Sequence, residues 1–337
     1  MKKRHLKSGS SVIGLIFIAF VVMCFAGPAI GQTYKWKCGV PTALDSAQDK
    51  AAREVSELLK KRTNGQIVID VYPGGQLGSW PEVFDGTVRG TVDLAFSPIS
   101  PQFNPKLQMV YMVYLVDNWK DGLKAYASDG WIFKFLAPVF ENLGVKPLDF
   151  CILGFGGYGS TKGPVLVPED ISKLRLKTRA PLLTTELFFK KLGPTVNISF
   201  SELFTSLQTG VCDAQDNSPS VTFQQLRDVT KFYTTINHLF EPLVIIINKK
   251  LWDGLKPELQ KTVSETTVEV MKKYNGIIAE EDDMYLKKMK EQGIKVTELT
   301  AQQREPWVKL GRSTWDELAN VVGKDSIEYV KKNAPKP

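Results

Sequence analysis

The sequence is poor in the residues that carry most enzymatic chemistry. Its 337 residues include only two histidines and four cysteines. It contains no HExxH zinc motif, no CxxC redox motif and no nucleophile elbow. His238 follows Asn237 at the end of a strand-like segment, which is more typical of a structural histidine than of a general base. Carboxylate pairs that meet only in the folded chain leave no local signature, but nothing in the sequence indicates catalysis. We therefore predict that the protein is not an enzyme.

The few cysteines also argue against a metal centre. Cys38, Cys151 and Cys212 each lie in an apolar, strand-like run, and their spacing matches no metal-binding pattern. Buried free thiols are the predicted state, with one disulfide as the alternative in an oxidising compartment. The acidic run at 280–283 lacks the glycine turn of a calcium loop and is expected to form a solvated helix face. No metal and no cofactor is predicted.

Long apolar runs are absent except at the start of the chain. Residues 1–7 carry four basic side chains, residues 12–26 are apolar, and small residues surround Gly31. This pattern predicts a secretory signal peptide over residues 1–31, cleaved near Gly31, and export to the periplasm; a retained N-terminal anchor is the alternative. The segment holds four of the 43 basic residues and none of the 36 acidic ones, so its removal lowers the formal net charge from +7 to +3. Because basic and aromatic residues do not cluster, no nucleic-acid partner is predicted.

The rest of the chain alternates strand and helix patterns. It exceeds the size, about 250–300 residues, at which one core usually divides, which predicts two lobes. Strand patterns at 34–40, 66–72 and 91–97 are separated by helices, the first capped by Asp45 or Ser46, which predicts an α/β fold with mixed, mostly parallel sheets. The apolar and aromatic residues 106–116 belong either to the core or to one wall of a pocket. Further elements are predicted as helices at 122–143, 219–232 and 257–292 and strands at 174–179 and 243–247.

A glycine-rich stretch at 154–159 matches G-x-G-x-x-G literally. A dinucleotide-binding fingerprint requires a helix immediately afterwards, whose N-terminus receives the pyrophosphate. Residues 160–164 (STKGP) and the strand-like 165–167 follow instead, and no acidic residue occupies the ribose position in a βαβ context. We expect a crossover between the two lobes here, not a nucleotide site.

Residues 199–219 (SFSELFTSLQTGVCDAQDNSP) combine a helix with a strand that ends in polar side chains. Ser199 and Glu202 have the spacing of a capping box, and Gly210 is the expected stop of the helix. The following strand pattern runs into Gln215, Asp216 and Asn217. Polar groups at strand ends are typical of ligand crevices in open α/β sheets. An ordinary helix–turn–strand connection is the alternative.

Several segments together resemble the extracytoplasmic solute-binding subunit of tripartite ATP-independent periplasmic (TRAP) transporters, of the dicarboxylate-binding type. The resemblance covers nearly the whole mature chain and depends on the order and spacing of its motifs. The matching segments are GGQLGS at 74–79, GTVDLA at 90–95, KTRAP at 177–181, FSELF at 200–204, GVCDAQDN at 210–217, Asn237-His238, Pro242 and Trp252-Asp253.

The resemblance implies a two-lobed periplasmic binding protein fold of type II, with a long helix that spans both lobes and closes over an organic acid. The implied lobe I comprises residues 32–155, and lobe II begins with 156–242. Residues 243–285 return to lobe I and contain the spanning helix, and residues 286–337 add the C-terminal helices of lobe II. The implied partners are a small organic acid and the integral-membrane permease subunits, and a monomer is expected. An exported sensor component or an enzyme on the same fold is the alternative.

By the same resemblance, Arg179 holds the ligand carboxylate, Phe200 forms an aromatic wall and Asn217 makes a polar contact. A guanidinium matches a carboxylate with two parallel hydrogen bonds, which lysine cannot make. Lys177 is the alternative cation because the register around Arg179 is loose. The candidate ligand-binding set is completed by Tyr158, Gln76 and Trp80.

The second arginine of many dicarboxylate and sialic-acid binders is missing. Where the family often has Gly-x-Arg, this chain has Gly157-Tyr158-Gly159. A monocarboxylate with an apolar or aromatic body, flanked by Tyr158, is therefore the predicted ligand class.

Overall fold

A computed structural model describes Met1 and residues 33–336. The predicted signal peptide and its cleavage site lie outside the described residues. Residues 33–336 belong to one compact unit. Within the described part, no helix combines the length and apolar composition needed to cross a bilayer.

One nine-stranded mixed sheet organises the protein. Its order is β2-β1-β3-β8-β4-β7-β5-β6, with β9 paired to β8. The strands are β1 (Tyr34–Val40), β2 (Ile67–Pro73), β3 (Leu94–Pro98), β4 (Val145–Ser160), β5 (Thr178–Arg179), β6 (Thr195–Val196), β7 (Ala214–Gln215), β8 (Phe232–Asn248) and β9 (Lys295–Thr297). The predicted α/β class is confirmed.

The two long strands β4 and β8 connect the two halves of the sheet. They pair antiparallel along most of their length, with three register shifts. The end of β8 near Ile247 pairs with β3, whereas Gly159 near the end of β4 pairs with β7. The glycine-rich stretch therefore lies inside β4, and no helix follows it directly. The predicted lobe boundaries remain predictions.

Thirteen α-helical segments are described around the sheet. They are α1 (Ala47–Arg62), α2 (Trp80–Arg89), α3 (Trp119–Tyr126), α4 (Trp131–Asn142), α5 (Glu169–Lys173), α6 (Leu183–Lys190), α7 (Phe200–Thr209), α8 (Pro219–Val221), α9 (Lys249–Asp253), α10 (Pro257–Glu291), α11 (Ala301–Arg312), α12 (Ala319–Val322) and α13 (Lys324–Asn333). The 35-residue α10 confirms the predicted long helix.

Helix ends follow the local signals well. Ser46 caps α1, where its hydroxyl accepts a hydrogen bond from the Asp49 amide, as one of the two predicted caps. Helix α7 begins after Ser199 and ends at Gly210, whose φ of 76° is a left-handed conformation that favours glycine. The Ser199 hydroxyl bonds the Glu202 carboxylate at 2.6 Å and not the backbone amide of a full capping box.

Several predicted elements are shorter than expected. The predicted helix at 122–143 is two helices, α3 and α4, separated by residues 127–130 with Gly130 as the cap of α4. Within 174–179 only Thr178 and Arg179 pair as a strand, because Arg175 adopts a φ of 51° that breaks extended backbone. The predicted helix at 219–232 is α8 followed by a π-helical turn, Thr222–Leu226. Alternation and apolar spacing alone did not predict these breaks.

The cysteine prediction is confirmed for the described residues. Cys38, Cys151 and Cys212 are buried free thiols. Burial raises the pKa of all three, for Cys212 to about 11. Their thiolate fraction at neutral pH is therefore very small.

The prediction that 280–283 forms a solvated face is wrong for Asp282. This side chain is 5% exposed and points from α10 towards β4, where its Oδ2 accepts a 3.3 Å hydrogen bond from the Phe155 amide. Its Oδ1 is buried without a hydrogen-bond partner among the described residues. Burial raises the pKa of Asp282 to about 8. The hydrogen bond from Phe155 lowers this pKa, and the neighbouring carboxylates Asp283 and Glu281 raise it further.

Replacing Asp282 with asparagine is expected to stabilise the protein increasingly as pH rises. The folded state keeps a proton that the unfolded state releases above about pH 4, so wild-type stability falls between that pH and the folded-state pKa. The slope is at most about 1.4 kcal/mol per pH unit. Urea unfolding of wild type and Asp282→Asn at acidic and mildly alkaline pH measures the difference.

The exposed neighbour Asp283 provides the matched control. Asp283→Asn should leave the pH dependence of unfolding close to that of wild type. If the free energy of unfolding of Asp282→Asn relative to wild type does not grow with pH, the Asp282 carboxyl is not a buried neutral group.

Candidate functional site

A cavity of about 780 Å³ lies between segments from both ends of the sheet. Its volume falls within the range of small-molecule sites, about 300–1,000 Å³. Backbone turns after β1 and β3, the start of α2 and α7, and residues of β8 and α10 contribute to its lining. The charged residues among the lining are Arg179, Asp216, Glu241 and Glu281. The cavity therefore contains one guanidinium and three carboxyl groups.

Arg179 is the fixed cation of this cavity. It ends β5, where Thr178 pairs with both β6 and β7, so its backbone position is set by two neighbouring strands. The residue is 7% exposed, and its Nε donates a 3.0 Å hydrogen bond to the Ile198 carbonyl. Its Nη1 lies 3.8 Å from Asp216 Oδ1. Burial lowers the pKa of Arg179, and the nearby carboxylates Asp216 and Glu241 oppose this effect.

The geometry leaves the outer edge of the guanidinium available. In the described part of the chain, only Nε of Arg179 makes a hydrogen bond, and neither Nη does. The two Nη groups can therefore present parallel N–H donors to a carboxylate, an arrangement that gives strong, oriented bonds. The Phe200 ring lies beside this group, 5.9 Å from Arg179 Cζ.

Aromatic rings form one wall of the cavity. Trp80 begins α2 and Phe200 begins α7, and their ring centroids are 6.3 Å apart. Trp80 is 37% exposed, which is high for a tryptophan. Tyr111 lines the cavity from another side, and its hydroxyl donates to the Ile99 carbonyl at 2.9 Å. The segment 106–116 thus belongs to the core and also contributes to the pocket wall, through Gln108 and Tyr111.

Asn217 is held in place at the end of β7. Its Nδ2 donates a 2.6 Å hydrogen bond to Gln215 Oε1, which also accepts from its backbone amide. Its carbonyl accepts from the Tyr233 hydroxyl and from the Gly157 amide. The strand-end residues 215–217 are therefore tied to both β4 and β8, and two of them, Asp216 and Asn217, line the cavity.

A search of known protein families matches residues 40–321 to the family of bacterial extracellular solute-binding proteins, family 7. The protein belongs to this family. A C4-dicarboxylate-binding periplasmic protein of Rhodobacter capsulatus is 30% identical over 311 residues, which cover 90% of this chain and 92% of the relative. The 2,3-diketo-L-gulonate-binding periplasmic protein of Escherichia coli is 26% identical over 85% of this chain and 87% of its own.

Solved structures give the same result for the fold. A TRAP periplasmic solute-binding protein from Ochrobactrum anthropi superimposes with a TM-score of 0.82 at 25% identity, covering 90% of this chain and 95% of its own. One from Sulfurospirillum deleyianum, with bound succinate, has a TM-score of 0.77 at 24% identity, covering 90% of this chain and 99% of its own. The resemblance to TRAP solute-binding subunits and the two-lobed fold are confirmed. The chain is a solute-binding protein and not an enzyme.

Four of the six predicted site residues of this solute-binding protein meet at the cavity. They are Trp80, Arg179, Phe200 and Asn217. Lys177, the alternative cation, is exposed and does not line the cavity, although its backbone amide donates to Asp213. The placement therefore favours Arg179 over Lys177 as the carboxylate partner.

The other two predicted residues lie elsewhere. Tyr158 is 1% exposed, and its hydroxyl forms a 2.6 Å hydrogen bond with Thr178 Oγ1, one residue before Arg179. Tyr158 therefore supports β5 and does not line the cavity. Gln76 lines a separate surface groove with Arg53, Asp70 and Tyr72.

His238 has the structural position expected from the sequence. It is fully buried, packs on Phe188 and Phe189, and its Nδ1 lies 3.0 Å from the Gly156 carbonyl. Its Nε2 lies 3.4 Å from Asp216 Oδ2. The ring is not part of the cavity lining, so it supports Asp216 from behind.

Sequence reasoning missed the acidic residues of the cavity. Glu241 precedes Pro242 in a strand of mainly apolar residues, and Glu281 lies in the acidic run of α10. The only available signal for Glu241 was a charged residue inside an otherwise buried strand. Asp216 was placed at the strand end, but without a role.

Proposed function

We propose that this protein binds a monocarboxylate with an apolar or aromatic body and delivers it to a TRAP-type permease in the membrane. Arg179 holds the carboxylate through its two Nη groups, and the rings of Trp80 and Phe200 cover the body of the ligand. Relatives named for C4-dicarboxylates and for 2,3-diketo-L-gulonate support an organic acid as the ligand.

The observation that carries this proposal is the charge of the cavity lining. Arg179 is the only cationic side chain among the described lining residues, and Asp216 already lies 3.8 Å from it. A second ligand carboxylate would lose its hydration without gaining a cationic partner, which is costly in a buried site. One carboxylate matches one guanidinium.

Ligand capture is proposed to couple to closure of the two lobes. Arg179 and Phe200 come from segments after β4, whereas Trp80 and Tyr111 come from segments before it. A ligand that touches both sets favours the closed state by its differential contacts. The exported chain, cleaved near Gly31, is proposed to act as a monomer that docks on the permease when closed.

A thermal-shift screen with paired acids tests the ligand class. The pairs are para-ethylbenzoate with terephthalate and hexanoate with adipate, which differ by one carboxylate. A ligand at a hundred times its dissociation constant stabilises the folded protein by about 2.7 kcal/mol. We expect the monocarboxylate of at least one pair to raise the unfolding temperature more than its dicarboxylate partner. A larger shift with the dicarboxylates would overturn the monocarboxylate assignment but leave organic-acid binding intact.

A further inference from the structure

The carboxyl group of Glu241 has no assigned partner in the cavity. The residue lies on β8, opposite Gly154 of β4, and its side chain is partly exposed to the cavity. Within residues 33–336 it makes no side-chain hydrogen bond and no ion pair within 4.0 Å of a basic nitrogen. Buried or enclosed carboxyl groups usually have such partners. An unpartnered carboxyl at a ligand cavity is a candidate for ligand recognition.

Of the other two acidic residues of the cavity, Asp216 is the one with a basic nitrogen within 4.0 Å in the described part of the chain. Asp216 lies 3.8 Å from Arg179 Nη1 and 3.4 Å from His238 Nε2. Burial raises the pKa of Glu281 at the rim, and the charges of Lys50 and Lys288 oppose this effect. Glu241 is therefore the acidic group of the cavity whose nearby cation, Arg179, is shared with a closer carboxylate, Asp216.

Acidic groups outnumber basic ones around Glu241. Asp216 after β7 and Asp282 on α10 raise its pKa, whereas Arg179 on β5 lowers it. Burial raises the pKa of the Tyr111 phenol, and Glu241 adds to this effect. Burial is the largest cause, and together these effects raise the pKa of Glu241 well above its ordinary value. A positively charged ligand group beside Glu241 would relieve both the burial penalty and the repulsion.

We propose that Glu241 binds an ammonium group of the ligand, so that the ligand is a zwitterion whose carboxylate is held by Arg179. The inference rests on the proposed function, since it assigns a second polar contact to the same cavity. The ammonium donates hydrogen bonds to the Glu241 carboxylate, and the apolar body of the ligand lies against Trp80 and Phe200. Such a ligand carries no net charge, which suits a cavity with one guanidinium and several carboxyl groups.

Two isosteric series of acids test this assignment by calorimetry. The first is para-aminomethylbenzoate, para-hydroxymethylbenzoate and para-ethylbenzoate, and the second is phenylalanine, phenyllactate and 2-methyl-3-phenylpropanoate. They place the amine far from the carboxylate or next to it. In at least one series, we expect the amine to bind wild type at least about tenfold more tightly than its hydroxyl and alkyl analogues, the usual size of a charged hydrogen bond.

The variants Glu241→Gln and Glu281→Gln identify the residue responsible. Glu241→Gln should remove the preference for the amine and leave the affinity for the alkyl acid within about threefold, since only one contact is lost. Glu281→Gln, the matched control at the rim, should keep the preference. Loss of the preference in Glu281→Gln alone, or equal affinity of wild type for amine and alkyl acids, would overturn the assignment.

Proton release gives a second, independent measurement. Because the ligand ammonium favours the ionised form of Glu241, binding should expel a proton, and the heat of binding should differ between phosphate and Tris buffers. This difference should disappear in Glu241→Gln; equal release in both proteins would overturn the role of Glu241. If none of the six acids binds wild type, the carboxylate premise of the proposed function itself fails. Binding of the alkyl acids without an amine preference contradicts only the present inference.

Discussion

Replacing Arg179 with alanine is expected to lower the affinity for the bound monocarboxylate at least about 30-fold, because truncating one partner of a buried, hydrogen-bonded charge pair usually costs about 2 kcal/mol or more. The ligand carboxylate would lose both of its Nη donors. It would also meet Asp216, whose nearby cation is gone. Calorimetry with the acid that gives the largest thermal shift measures the change.

Lys177→Ala is the matched control, because Lys177 lies two residues away and is exposed. It should bind the acid as wild type does. The affinity of Arg179→Lys should lie between those of wild type and Arg179→Ala, since lysine restores the charge but not the two parallel hydrogen bonds. The unfolding temperature without ligand shows whether each variant is folded. If Arg179→Ala still binds the acid and Lys177→Ala does not, then Lys177 and not Arg179 holds the ligand carboxylate.

Substituting alanine for Gly157 is expected to destabilise the protein by about 1–3 kcal/mol or more, as overpacking of a filled core does. A Cβ at this position would collide with the ring of Tyr233. That ring is fully buried, and its hydroxyl donates to the Asn217 carbonyl, so it cannot move away freely. Urea unfolding of wild type and variant measures the loss.

Gly276 offers the opposite case in the same chain. It lies within α10, and a Cβ there would meet no atom within 4 Å. Gly276→Ala should stabilise the protein by about 0.5–1 kcal/mol, because alanine loses less backbone freedom on helix formation. Equal effects of the two substitutions would show that the close approach at Gly157 is not a constraint. Because Tyr233 supports Asn217, Gly157→Ala should also weaken ligand binding.

A close approach like that at Gly157 also explains the glycines of the G-x-G-x-x-G stretch at 154–159. The sequence excluded a nucleotide site there, because the required helix does not follow. Only the structure gives the reason for the glycines: at Gly156 a Cβ would lie 2.7 Å from His238 Cε1 and 2.8 Å from the Asp216 carbonyl. The stretch lets β4 approach the strand end that carries Asp216 and Asn217.

The sequence by itself determined several of the regular elements and the family. Apolar spacing and β-branched runs located β1, β2 and α10, and Ser46, Ser199 and Gly210 set helix ends, because these signals act within one turn of chain. The ordered motifs identified a TRAP solute-binding subunit. Four of its six implied site residues line one cavity.

Only the tertiary structure decided which polar side chains face inward. Glu241 and Asp282 belong to segments whose local patterns indicate a buried strand and a solvated helix face, yet one lines the cavity and the other is buried against β4. Tyr158 instead supports β5 from within the core. These positions depend on contacts between different elements, separated by 127 positions for Phe155 and Asp282 and by 20 for Tyr158 and Thr178. Local periodicity carries no information about such pairs, because it reports the face of an element and not what packs against that face.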